Sequence, residues 1–285
     1  MIMGKVSFNP TCIGCYRWLW VGLSCLVLLW SPVALGAEQG TSSLDWPEIT
    51  INAIATLRQK AFMASQTGQF VEAEQYWTKL IEYLPEEAAL WSNRGNVRVS
   101  QNRMEEAIAD YNQAISLAPN QPDPYLNRGT ALEGLGRWQA AIADYTKVLG
   151  LNPKDAGAYN NRGNAKAGLG QWEAALTDYQ QAIDIDAQFA LARINAALAE
   201  YQLDHRQSAI RQFRNLTLRY PNFADARAAL TAALWIAGQP GEAESNWVAV
   251  VGLDPRYKDL NWVSQVRRWP PAMVGALEKF LSLSN

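Results

Sequence analysis

Histidine and cysteine are nearly missing from this chain, and that scarcity removes whole classes of chemistry. Its 285 residues include one histidine, His205, and three cysteines. Cys12, Cys15 and Cys25 all lie ahead of Leu26. A zinc cluster of the usual type needs more imidazoles or thiols than this, and the Cys12-x-x-Cys15 pair has no second pair to complete a site. His205 stands in "LDHRQ", where a solvated turn residue is expected. There is no basic block dense enough to grip a phosphate backbone, and the formal charge is -2, so nucleic acid is not expected as a partner. "GLGRW" and "GLGQW" fall in turns between helices and do not follow a strand, so they form no phosphate loop. Carboxylates remain, but Glu105, Glu106 and Asp110 have the spacing of a solvated helix face. No catalytic residue, metal ligand or cofactor site is expected, and the chain does not read as an enzyme.

What is present is a core: 49% of residues are hydrophobic and 18% charged, in a chain long enough for one large or two ordinary domains. The first 37 residues stand apart. Lys5 and Arg17 precede an uncharged apolar run from Trp18 to Trp30, and "SPVALGA" follows. That order is the n-region, h-region and cleavage region of a secretory signal peptide, with Ala34 and Gly36 meeting the small-x-small rule. The run is short against the roughly 20 residues of a membrane span, and an uncleaved anchor from Tyr16 to Ala34 is the alternative. Residues 1–37 are therefore read as signal peptide or N-terminal anchor, and 38–54 as linker and start of the first helix. After cleavage no cysteine remains, so the exported chain relies on its core alone.

From residue 55 to 257 a 34-residue period governs the sequence. Ala73, Ala107, Ala141, Ala175, Ala209 and Ala243 recur at one offset, and four residues after each comes an aromatic: Trp77, Tyr111, Tyr145, Tyr179, Phe213 and Trp247. Apolar residues at helical spacing flank a break in each unit, which predicts pairs of packed helices. Gly68, Asn102, Gly136, Gly170, Asp204 and Gly238 occupy the break, and these residue types tolerate the left-handed conformation that ends a helix. Gly95, Gly129 and Gly163 are expected to let the first helix approach the alanine of the second. Pro85, Pro119, Pro153, Pro221 and Pro255 stop the second helix, with Ala187 the exception.

These residues resemble the tetratricopeptide repeat, whose aromatic, small, Ala-x-x-x-aromatic and proline positions are matched by Trp91, Gly95, Ala107, Tyr111 and Pro119, and again by Tyr125, Gly129, Ala141, Tyr145 and Pro153. The resemblance implies an all-α, right-handed superhelical solenoid of about six helix pairs. Residues 258–285 read as capping helices: one to Trp269, a Pro270-Pro271 break, and a final amphipathic helix. With its export signal and "WV..VRRWPP" tail, the chain is also similar to exported tetratricopeptide proteins of cyanobacteria and of the chloroplast thylakoid lumen. That similarity implies the periplasm or thylakoid lumen as its place.

In such a solenoid the first helix of each pair lines an inner groove, and other proteins are the expected partners. Asn93, Asn127, Asn161 and Asn195 stand 34 apart, and Asn96, Thr130 and Asn164 lie one turn further on. A row of amides can pair with the backbone of an extended peptide; the competing reading is that each amide ties down a neighbouring helix. Tyr201 and Trp235 are aromatic anchors in the apolar C-terminal part of the groove, which is open to a partner or filled by the chain's own last helix. The expected function is a protein-binding scaffold or assembly factor outside the cytoplasm. The alternative is a membrane-anchored organiser of the envelope or thylakoid, with the N-terminal segment its sole membrane contact.

Overall fold

The computed structural model describes residues 48–283; the expected signal or anchor segment, residues 1–37, lies outside them. The described chain is built from helices alone and divides into two units, one ending at Leu117 and one beginning at Ala118. Among the described residues no helix is long and apolar enough to cross a membrane.

The first unit contains α1 (Glu48–Gln66), α2 (Phe70–Tyr83), α3 (Ala88–Ser100) and α4 (Met104–Leu117). Its core gathers Ala61, Ala64, Ala73, Trp77, Leu80 and Leu90, the inward residues of three consecutive helices. Phe62 remains about half exposed on α1 and meets Trp77 edge to face at 4.9 Å.

The second unit continues the pairing with α5 (Pro122–Gly134) and α6 (Trp138–Leu151), α7 (Ala156–Gly168) and α8 (Trp172–Ile185), α9 (Ala190–Gln202) and α10 (Arg206–Arg219), α11 (Ala224–Ile236) and α12 (Pro240–Leu253). A 3-10 turn at Pro255–Lys258, the short α13 (Leu260–Gln265) and α14 (Pro271–Leu283) complete it. The largest core cluster lies at this end and joins α9, α10, α11 and α14.

Within every pair the break behaves as the residue types predict. Gly68, Gly136, Gly170 and Gly238 have φ between 71° and 77°, and Asn102 and Asp204 take 61° and 65°. Only the left-handed region lets the chain reverse in three residues. Each second helix ends two residues before its proline; α8, which lacks one, ends at Ile185 all the same, because the Asp186 carboxylate accepts the Gln188 N–H at 2.8 Å and closes the turn.

Two expectations are corrected. The small residue of the first helix faces the tyrosine ring of the second helix rather than its alanine. A Cβ on Gly95, Gly129 or Gly163 would lie 2.7, 2.7 and 2.6 Å from the rings of Tyr111, Tyr145 and Tyr179. The helix expected to reach Trp269 stops at Gln265. Trp269 precedes proline, which disfavours the helical region, and Arg268 turns into the left-handed region at φ 55°. For a residue with a Cβ that conformation costs about 1–2 kcal/mol, so side-chain contacts must hold it.

Candidate functional site

The candidate residues all lie on the first helix of a pair: α3, α5, α7, α9 and α11. On α3 and α7 the ninth residue, Asn96 or Asn164, accepts the hydroxyl of the buried tyrosine of the following helix. In the first unit, Tyr111 donates to Asn96 Oδ1 at 2.7 Å. In the second, Tyr179 donates to Asn164 Oδ1 at 3.0 Å; Tyr145 lies 3.4 Å from Thr130 Oγ1, but its one proton goes to the Glu133 carboxylate 3.0 Å away. A buried phenol needs an acceptor, and burial pushes the hydroxyl pKa values of Tyr111 and Tyr179 far above the ordinary tyrosine value. Asn195 donates to Asn160 Oδ1 at 3.0 Å and to Asn164 Oδ1 at 3.1 Å, tying α9 to α7. For Asn96, Asn164 and Asn195 the helix-tying reading therefore describes the structure, while Thr130 donates to the Leu126 carbonyl of its own helix at 3.0 Å.

Asn93 and Asn127 differ. Each is half-buried on its inner helix, and neither side-chain amide has a hydrogen-bond partner among the described residues. Asn161 accepts a single long bond from Asn160 at 3.3 Å. Asn93, Asn127 and Asn161 keep most of their amide capacity for a ligand, whereas Asn195 has committed both N–H groups and keeps only its Oδ1.

Tyr201 and Trp235 are not open anchors. Tyr201 is 3% exposed within the terminal core, and Trp235 packs edge to face against Phe280 of α14 at 5.3 Å. Met273, Leu277 and Phe280 are buried on α9 and α11, and the Gln202 side chain accepts the Ala272 N–H at 2.8 Å. The apolar stretch is filled by the chain's own last helix, whose apolar residues recur at helical spacing and pack there against α9 and α11.

Two neighbouring arginines of the tail reach different partners. Asp225 of α11, 7% exposed, accepts Arg267 Nε at 2.9 Å, Trp269 Nε1 at 3.4 Å and the Tyr257 hydroxyl. Burial opposes the Arg267 charge, but Asp225 outweighs it and raises the guanidinium pKa. Burial, followed by the Asp225 charge, pushes the Tyr257 hydroxyl far up. Arg268 points elsewhere. Its Nη1 donates to Glu133 Oε1 on α5 at 2.7 Å, its Nη2 donates to the Glu133 carbonyl at 3.3 Å, and its guanidinium lies 4.8 Å from the Trp138 ring centre. Glu133 is 2% exposed and also accepts the Tyr145 hydroxyl at 3.0 Å.

The arginine of each "NRG" is accounted for as well. Arg94, Arg128 and Arg162 form two-pronged bonds of 2.6–3.0 Å with Asp110, Asp144 and Asp178, 16 positions on. Asp110, expected on a solvated face, is thus buried and paired, with Arg98 also 2.9 Å away. The recurrence of these arginines and aspartates every 34 residues was the signal for it. No periodicity announced Glu133, Asp225, Arg267 or Arg268. His205 is exposed in the turn before α10.

Residues 95–136 match the TPR repeat model and residues 126–190 the tetratricopeptide repeat model. No curated protein matches the chain in sequence. A tetratricopeptide repeat protein from Parabacteroides merdae is similar in structure, with TM-score 0.65 and 20% identity over 82% of this chain and 94% of that one. YrrB, described as a TPR protein with an unusual peptide-binding site, aligns with TM-score 0.51 and 22% identity over 63% of this chain and 92% of its own. MamA from Desulfovibrio magneticus RS-1 aligns with TM-score 0.55 and 19% identity over 57% and 93%. At these identities the likeness is one of fold. Repeat models match residues 95–190 and the same helix pairs recur through the described residues, so what the chain shows is the tetratricopeptide-repeat fold.

Proposed function

We propose that this protein is a scaffold or assembly factor, acting outside the cytoplasm, that holds an extended segment of a partner protein against its polar inner face. Tetratricopeptide repeats mediate protein-protein interaction and peptide binding. Within the second unit the observation that carries the reading is Asn127, a half-buried amide on the inner helix α5 with no protein partner, while Asn164 Oδ1 and Asn195 Nδ2 are already engaged. Donor and acceptor on one side chain suit the backbone of any extended segment, and the reading needs no side-chain specificity at that point. The peptide-binding site ascribed to YrrB is a precedent in the same fold.

The location rests on the Lys5, Arg17 and Trp18–Trp30 arrangement. Fractionation decides whether the chain is released or anchored, because an uncleaved anchor survives carbonate washing.

The decisive experiment is cross-linking in the native host followed by affinity capture, with Asn93, Asn127 and Asn161 changed together to alanine. The expected result is one defined partner that the folded triple variant loses. Retention of that partner at wild-type yield would refute the polar face as the site.

A further inference from the structure

We infer that Glu133, its carbonyl and Trp138 form a subsite for an arginine of the partner segment, which Arg268 of the chain's own tail occupies in the unbound protein. The inference rests on the groove reading above and gives it a chemistry.

The subsite has the parts that guanidinium recognition requires. A carboxylate accepts one Nη at 2.7 Å, a main-chain carbonyl accepts the other at 3.3 Å, and an indole face lies 4.8 Å from the guanidinium carbon. Glu133 belongs to the last turn of α5, where the helix dipole also favours a cation. Tyr145 donates to the second carboxylate oxygen at 3.0 Å, which fixes the rotamer before any ligand arrives.

Repeat packing does not demand an acid at this place. The same repeat position is Ala167 on α7, Tyr201 on α9 and Trp235 on α11. Glu133 is thus specific to one repeat, on the face that in this fold meets ligands, and on the same helix as the unpartnered Asn127.

Arg268 is a displaceable occupant. It comes from the non-helical stretch between α13 and α14, its backbone is left-handed at φ 55°, and its side chain is 29% exposed. The docking of α14 is held separately, by Arg267 on Asp225 and by Met273, Leu277 and Phe280 in the terminal core. Release of Arg268 therefore leaves the cap in place and opens the subsite on α5. An incoming arginine replaces a guanidinium with a guanidinium and relieves the left-handed backbone. The tail then acts as a competitor that sets a threshold, and segments without arginine fail to displace it.

Random dodecapeptides displayed on phage and selected against the full-chain Arg268→Ala variant, its helix content verified by circular dichroism, test this. Enriched peptides are expected to share an arginine at one position and to bind the variant about tenfold more tightly than wild type, which carries the competitor. Citrulline in place of that arginine, which keeps the shape and removes the charge, is expected to abolish the difference, as is Glu133→Gln added to the variant. The peptide-side control holds even if the Glu133 change impairs folding. Peptides that lack a common arginine, or that bind both proteins equally, would overturn the subsite and leave the groove reading standing. No enrichment on the folded variant would remove both.

Discussion

Asp225→Ala separates the cap from the repeats it covers. The wild-type carboxylate is 7% exposed and gathers the Arg267 guanidinium, the Trp269 indole N–H and the Tyr257 hydroxyl, all from the segment that precedes α14. Removing one partner of a buried ion pair costs about 3–5 kcal/mol, because the other charge is left without compensation. Arg267 keeps 31% of its side-chain surface in water and can rehydrate in part, which favours the lower end, about 3 kcal/mol. Converted at 1.4 kcal/mol per decade, that is roughly a hundredfold shift in the local opening of the tail. Amide hydrogen exchange followed by mass spectrometry reads it directly. Peptides from α14 are expected to lose about a hundredfold in protection, while those from α7 and α8 change little, since repeat stability is carried by nearest neighbours. Replacing the pair together, Asp225→Leu with Arg267→Met, is expected to restore most of the protection. Unchanged exchange in α14, or equal loosening of every helix, would refute the view that Asp225 is the anchor of the cap.

Gly163→Ala and Gly275→Ala form a second pair of predictions with opposite signs. At 163 a Cβ would lie 2.6 Å from the buried Tyr179 ring, so overpacking of about 1–3 kcal/mol exceeds the gain of about 1 kcal/mol in helix propensity and the melting temperature falls. At 275, in the middle of α14, nothing lies within 4 Å and the propensity gain of about 1 kcal/mol appears alone as a rise. The buried tyrosines set an alkaline limit. Tyr111, Tyr179 and Tyr257 have folded pKa values raised above the unfolded value, so their contribution is complete below about pH 10 and is lost as pH rises beyond it. Phenolate absorbance is expected to appear for these three together with loss of helical signal, and phenolate formation in a still-folded chain would contradict it.

The repeat was legible because it is written several times. A turn needing positive φ, an alanine under a neighbouring helix and a stopping proline each recur at 34 residues, and every copy reinforces the reading of Gly170, Ala175 and Pro153. The Arg162–Asp178 pair was written as periodically, but its partners stand 16 apart on different helices, whereas helical spacing relates charges only along one helix. The tail contacts could not be read in that way. Arg268 and Glu133 are 135 positions apart and occur once, so no spacing relates them. The aromatic character of Tyr201 and Trp235 marked a surface that must be covered, and the spacing of Met273, Leu277 and Phe280 marked a helix with an apolar face. Only the fold of the second unit brings the two together.

Adjacent arginines with separate destinations divide the inner face of this unit by cost. Undocking α14 would expose Trp235, Phe280 and Leu277 to water, and burial of each such side chain is worth about 1.5–3 kcal/mol. Lifting Arg268 exposes one carboxylate and one guanidinium, both of which water solvates well. The surrender of Arg268 is the cheaper step, and it opens the Glu133 end of α5, the helix that also carries Asn127. A partner that meets the polar helices α5 and α7 first can therefore bind without unfolding anything. One that needed Tyr201 or Trp235 would have to displace a packed helix before making its first contact. The asparagines and Glu133 are for that reason the residues on which affinity should depend, and the aromatic positions are those on which stability should depend.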